Sequence, residues 1–149
     1  EGLGEGDAAD AADLRGSDTK VVFCTRRTGA MGEDLFLLEP AQAEVAQPLM
    51  PLVNTAGVEW GPRVGPTNEL YFVRGDRQLW LHEGAVKPVR VEGPSRLLVT
   101  EAAPTAEGDW LFFCMPRLRP MELDLDIYVA PLGDDGAAGV PVAVDAWKP

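Results

Sequence analysis

Apolar residues in this chain come in short runs bounded by Gly, Pro, Asp and Asn, and three stretches carry the same two-part pattern in the same order. The first is Val21-Val22-Phe23-Cys24 followed by Asp34-Leu35-Phe36-Leu37. The second is Leu70-Tyr71-Phe72-Val73 followed by Gln78-Leu79-Trp80-Leu81, and the third is Leu111-Phe112-Phe113-Cys114 followed by Asp126-Ile127-Tyr128-Val129. The central Phe recurs after 49 and 41 residues and the second aromatic after 44 and 48, a period close to that of a four-stranded propeller blade.

Runs this short, rich in Val, Phe, Tyr, Leu and Trp, predict strands rather than helices. Each pair reads as a β-hairpin, with connections over residues 25–33, 74–77 and 115–125. Several runs are apolar at consecutive positions, which predicts sheets covered on both faces. The best helical candidate, residues 41–47, lies between Pro40 and Pro48 and has room for two turns at most. The repeats are expected over residues 14–57, 58–100 and 101–149, after a flexible acidic leader over residues 1–13.

A second element recurs out of step with the first. Val58-Glu59-Trp60-Gly61-Pro62 and Val144-Asp145-Ala146-Trp147-Lys148-Pro149 share a Trp-x-Pro ending, with the tryptophans 87 residues, or two periods, apart. The chain is thus expected to end where a fourth repeat would begin.

The pattern resembles the TolB-type, WD-repeat-like propeller repeats, whose blades run from a Pro-x-aromatic-Ser-Pro-Asp-Gly turn into an apolar strand ending in Phe-x-Ser and then Asp-Ile-Tyr-Val. Pro62-Arg63-Val64-Gly65-Pro66-Thr67-Asn68-Glu69-Leu70-Tyr71-Phe72 carries the likeness in the second copy. Pro104-Thr105-Ala106-Glu107-Gly108-Asp109-Trp110-Leu111-Phe112-Phe113, with Asp126-Ile127-Tyr128-Val129, carries it in the third. Copy one keeps Gly16-Ser17-Asp18, and the Ser-Pro-Asp-Gly turn is degenerate throughout. The resemblance implies an all-β, β-propeller-like chain of three blades of about 45 residues, a partial propeller or a segment of a larger one. It also implies an interaction platform of the kind common in exported proteins, hence a periplasmic or cell-surface location.

At 149 residues with 46% hydrophobic content the chain is able to bury a core without disulfides or a structural metal. The net charge of −11, from 24 acidic against 13 basic side chains, repels phosphate backbones and anionic lipid, so neither nucleic acid nor membrane insertion is expected. Cys24 and Cys114 occupy equivalent points of non-adjacent repeats, too far apart for a bridge whose Cα atoms must come within about 7 Å, and are expected to be free thiols.

Candidate chemistry is sparse. His82 is the only histidine, Ser17 and Ser95 are the only serines, and no Gly-x-Ser-x-Gly elbow is present, so no catalytic triad is expected. One His and two separated Cys do not furnish a zinc site. Glu122, Asp124 and Asp126 alternate onto one strand face but lack the loop spacing of a Ca²⁺ site; they read as a solvated face, with Asp126 capping the hairpin turn. Arg74-Gly75-Asp76 suits a tight turn better than adhesion. No catalytic, cofactor or metal residues are therefore expected. For partner binding the candidates are Trp110, out of phase with the repeat, and Arg117 and Arg119 in the longest connection.

The expected function is a non-enzymatic propeller scaffold for protein interaction or ligand binding, completed by further blades of the same chain or by a second copy. The alternatives are a substrate-gating propeller segment of a peptidase or hydrolase, and a carbohydrate-binding or adhesion module.

Overall fold

The structure, a computed structural model, describes residues 10–14, 20–25, 32–39, 46–49, 52–75, 77–92, 98–119 and 122–147. These residues form strands, turns and irregular segments, with no helix among them. There is accordingly no helix long and apolar enough to cross a membrane among the described residues.

Three four-stranded antiparallel sheets follow one another along the chain, each with its strands in sequence order. Sheet I holds β1 (Asp10–Leu14), β2 (Lys20–Thr25), β3 (Asp34–Leu38) and β4 (Gln47–Pro48). Sheet II holds β5 (Glu59–Val64), β6 (Leu70–Arg74), β7 (Leu79–Glu83) and β8 (Ala85–Pro88). Sheet III holds β9 (Glu101–Pro104), β10 (Trp110–Arg119), β11 (Glu122–Pro131) and β12 (Val142–Ala143). The first strand of each later sheet lies against the sheet before it: β5 touches β1, β2 and β3, and β9 touches β5 and β6.

Sheet II explains why the apolar runs are continuous. Side chains alternate between the two faces of a strand, and both faces here are covered. Leu70 and Phe72 of β6 join Val22, Cys24 and Leu35 of sheet I in one core cluster. Tyr71 and Val73 of the same strand join Leu111, Phe113 and Ala130 of sheet III in the other. Burying a side chain of this size stabilises by about 1.5–3 kcal/mol, so a strand apolar on one face only would forgo that contribution at every second residue.

The paired aromatics of the sequence are cross-strand partners in all three sheets: Phe23 faces Phe36, Phe72 faces Trp80, and Phe113 faces Tyr128. The first and last pairs are stacked with ring centroids 6.0 and 6.1 Å apart. In the middle pair the guanidinium of Arg74 covers both rings, 5.4 Å from Phe72 and 4.1 Å from Trp80. Aromatic pairs of this kind add about 0.5–1.5 kcal/mol beyond the area they bury.

The degenerate turns of the second and third copies have one geometry. Asn68 donates its backbone N–H to the Gly65 carbonyl and Gly108 donates to Thr105, at 3.2 and 3.1 Å. Asn68 and Gly108 both have positive φ, 67° and 80°, a conformation that Gly and Asn adopt at least cost. The Glu69 carboxylate tightens the first of these turns by accepting from both the amide and the hydroxyl of Thr67, at 2.8 and 2.6 Å. Asn54 extends sheet I by side chain alone: Leu35 N–H donates to its Oδ1 at 2.9 Å and its Nδ2 donates to the Leu35 carbonyl at 2.8 Å.

Four expectations are corrected. Residues 10–13 belong to β1 rather than to a flexible leader, because pairing Asp10–Leu14 with β2 satisfies backbone groups that the edge of β2 would otherwise leave open. The expected connection over residues 115–125 is mostly strand: β10 runs to Arg119 and β11 starts at Glu122, with the pairing unbroken from Trp110–Pro131 to Arg119–Glu122. Pro116 and Pro120 suggest a loop, but the alternation Leu123, Leu125, Ile127 continues the hairpin. Gln47 lies in β4 and not in a helix, while residues 41–45 lie outside the described residues. Asp126 sits within β11, opposite Met115, and so is not at the turn it was expected to cap.

Candidate functional site

Sheet III buries one face against sheet II and turns the other outward. Strand alternation assigns Trp110, Phe112 and Cys114 of β10 to the outer face, with Leu125, Ile127 and Val129 of β11. Val142 stands opposite Val129 at the edge. Leu125 and Ile127 are 54% and 53% exposed, and Val142 and Val144 are 38% and 37% exposed. Four large aliphatic side chains open to solvent on one sheet face form a contiguous apolar patch, a feature that marks an interaction surface more often than scattered exposed residues do.

The end of the described chain is folded onto this face. Val144 N–H donates to the Ile127 carbonyl at 2.9 Å, and a turn follows in which Ala146 and Trp147 donate to Ala143 and Val144. This places the Trp147 ring edge-on to Trp110 at 5.4 Å and to Phe112 at 6.0 Å. Cys114, half-buried on the same face, has its thiol pKa pushed up by burial and then by the carboxylate of Glu101, its cross-strand partner.

The sequence-predicted partner residues do not converge. Trp110 opens β10 and is half-buried under Trp147, which explains why it is out of phase with the repeat: it packs against the chain's own later segment. Arg117 and Arg119 are seven and nine residues further along β10, where they pair with Asp124 and Glu122 of β11. At about 3.3 Å per residue, Trp110 and Arg117 are roughly 23 Å apart along the strand.

Sequence reasoning passed over Leu125 and Ile127. Their signal was present in the alternation Asp124-Leu125-Asp126-Ile127, read from its acidic side as a solvated face. The structure inverts that reading at Asp126, which is partly buried while Leu125 and Ile127 are exposed.

The other concentration of chemistry is internal. Glu59 is fully buried at the start of β5, its Oε1 accepts from the Thr55 hydroxyl at 2.6 Å, and Arg74 Nε lies 3.7 Å away. Arg74 also donates to the Val53 carbonyl at 2.9 Å. Asp34 has its carboxyl pKa raised by burial and then by Glu59. The cation pinned between Glu59 and the Phe72–Trp80 pair, all in sheet II, reads as a structural clamp that ties the connection before β5 to sheet II through the Val53 carbonyl and the Thr55 hydroxyl. His82 stands alone on β7, and no three metal-ligating side chains group together among the described residues. Cys24 and Cys114 are both free.

No family model matches this chain, and no curated protein is detectably similar to it.

Proposed function

We propose that this chain is a propeller-type scaffold segment, non-enzymatic, whose outer face on sheet III is the attachment surface for a further four-stranded sheet bearing a cross-strand aromatic pair. One observation carries the reading. The outward residues Phe112, Cys114, Ile127 and Val129 hold the positions that Tyr71, Val73, Leu79 and Leu81 hold in sheet II, and that Val22, Cys24, Leu35 and Leu37 hold in sheet I. In sheets I and II those positions lie under the next sheet.

The rear faces support the same reading, because the aromatic pair of each later sheet is what covers the aliphatic face of the sheet before it. Trp147 stands on Phe112 much as Trp60, in the first strand of sheet II, stands against the core cluster it shares with sheet I. A face so matched to a sheet of known chemistry serves assembly better than catalysis.

Light scattering of the purified chain over a concentration series tests the proposal. Association that grows with concentration, and that Ile127→Glu abolishes while near-UV circular dichroism stays unchanged, is the expected result. A stable monomer at high concentration, with the same unfolding curve for both proteins, would overturn it.

A further inference from the structure

β11 outruns the strand beside it. It spans Glu122–Pro131, whereas β12 pairs with it only at Tyr128 and Val129. Val144 then donates to the Ile127 carbonyl at 2.9 Å, and the turn through Ala146 and Trp147 ends the pairing. Residues 122–126 therefore have a strand on their β10 side alone among the described residues. The Ile127 carbonyl points to the β12 side, and successive residues of an antiparallel strand turn their backbone groups to alternate edges. The N–H and C=O of Leu123 and Leu125 and the N–H of Ile127 thus point to the open edge.

The other open edge of the same hairpin is blunted. β9 pairs with β10 only as far as Cys114, whose carbonyl accepts from Thr100 at 3.0 Å. The same alternation turns the backbone of residue 116 to that edge, and residue 116 is Pro, which has no N–H to offer. Proline at such a place keeps an edge from pairing. The open stretch of β11 has no proline, and its Leu125 and Ile127 are exposed.

The sequence of β11 speaks against a second copy on this edge. In an antiparallel pair the residues whose backbone faces the partner lie opposite one another, so odd positions meet odd and even positions meet even. Two copies of β11 would set Glu122, Asp124 and Asp126 against the same three residues, and like charges directly opposite destabilise a pair. β10 shows what suits the strand instead. Arg119 stands opposite Glu122, Leu118 opposite Leu123, Arg117 opposite Asp124 and Pro116 opposite Leu125. Basic residues meet the acidic positions and apolar residues meet the apolar ones.

We infer that the open edge of β11, residues 122–127, takes an extended segment of another protein by strand addition, antiparallel and end to end with β12, in which basic residues alternate with apolar ones. Main-chain bonds to Leu123, Leu125 and Ile127 supply the affinity, and the alternation of the segment supplies the choice of partner. The inference goes beyond the attachment of a further sheet, because it uses an edge of sheet III and not its outer face.

The test is a ¹H–¹⁵N NMR titration of the whole chain with the peptide Ac-Val-Arg-Val-Arg-Val-Arg-NH₂. The comparisons are the same peptide with Glu in place of Arg, and the Arg peptide N-methylated at its valines, which keeps the charges and loses the edge-facing donors. Saturable shifts centred on the amides of Leu123, Leu125 and Ile127 are expected with the Arg peptide, roughly tenfold weaker binding with the Glu peptide, and none with the N-methylated one. Leu125→Pro, which repeats on β11 the blunting that Pro116 gives β10, should abolish the shifts. Equal binding of the N-methylated peptide would overturn the inference, whatever the fold of Leu125→Pro. So would equal binding of the Glu peptide, an absence of saturable shifts at these amides, or protection of the Leu123 and Leu125 amides from hydrogen exchange in concentrated Ile127→Glu without peptide, the mark of a second copy on the edge. Light scattering reports on the outer face, and a lack of association there leaves the peptide result standing.

Discussion

Arg74 and Glu59 meet at 3.7 Å across the start of sheet II, the carboxylate fully buried and the guanidinium held over the Trp80 ring at 4.1 Å. One oxygen of Glu59 and the Nε of Arg74 make no hydrogen bond, so the pair is held by charge, by the flanking rings and by the Thr55 hydroxyl rather than by a bidentate fit. Removing one member strands the other in a low-dielectric site, a larger loss than the worth of the pair itself.

Arg74→Met is therefore expected to destabilise the chain by roughly 3–5 kcal/mol, read from urea unfolding. Glu59→Gln combined with Arg74→Met should cost less than the sum of the single changes. Additive effects would show that the two groups are not coupled.

The aromatic pairs hold each sheet to its neighbour, and Phe72 and Phe113 sit at the centre of the two core clusters. Phe72→Ala and Phe113→Ala should each cost about 3–5 kcal/mol. A loss under about 1 kcal/mol at either position, in the range of ordinary surface substitutions, would mean that the face-to-face stacking of sheets contributes little.

Tyr71 gives the chain an alkaline signature. Its folded pKa is raised, by burial and then by Glu69 and Glu83, while in the unfolded chain a tyrosine ionises near about 10. The unfolded state releases this proton first, so the contribution to stability is complete below pH of about 10 and is lost as the pH rises from there through the folded pKa. Stability measured against pH should fall on the alkaline side for the parent chain, and Tyr71→Phe should flatten that fall. Identical alkaline limbs for the two proteins would contradict the buried, carboxylate-flanked setting.

Both cysteines are free, Cys24 buried and Cys114 half-buried beside Glu101. A thiol reagent should find two thiols in the unfolded chain without reductant, and should react slowly with the native chain near neutral pH because the thiolate of Cys114 is disfavoured. Glu101→Gln should speed that reaction at Cys114. Fewer than two thiols after unfolding would place a bridge where the structure has none.

Much of the local structure was legible in the residues. Phe23 with Phe36, Phe72 with Trp80 and Phe113 with Tyr128 could be paired on paper, because a hairpin sets its partners through short-range geometry and a period of two. The turn at Gly65-Pro66-Thr67-Asn68 could be placed for the same reason, since positive φ at its last residue favours Asn or Gly. The β10–β11 extension was misread because Pro116, Pro120 and the arginines resemble a loop in composition, whereas pairing between ten-residue strands outweighs single-residue preference.

Alternation along the chain sorts side chains onto two faces, and it did so here for Tyr71 against Phe72 and for Asp126 against Ile127. It carries no information on which of those faces another sheet will cover. Leu79 is buried and Ile127 exposed at matching places in two hairpins of the same pattern, and the difference lies in the presence of sheet III over the one and solvent over the other. Glu59 differs: nothing in Val58-Glu59-Trp60 marks a buried carboxylate, yet its partners are close in the chain, Arg74 being its cross-strand neighbour in the β5–β6 hairpin and Thr55 lying four residues before it. Hairpins and registers are set by neighbours close in the chain. Coverage of a sheet face arises where remote segments meet, because desolvation depends on everything that displaces water from a side chain and not on the residues beside it in sequence.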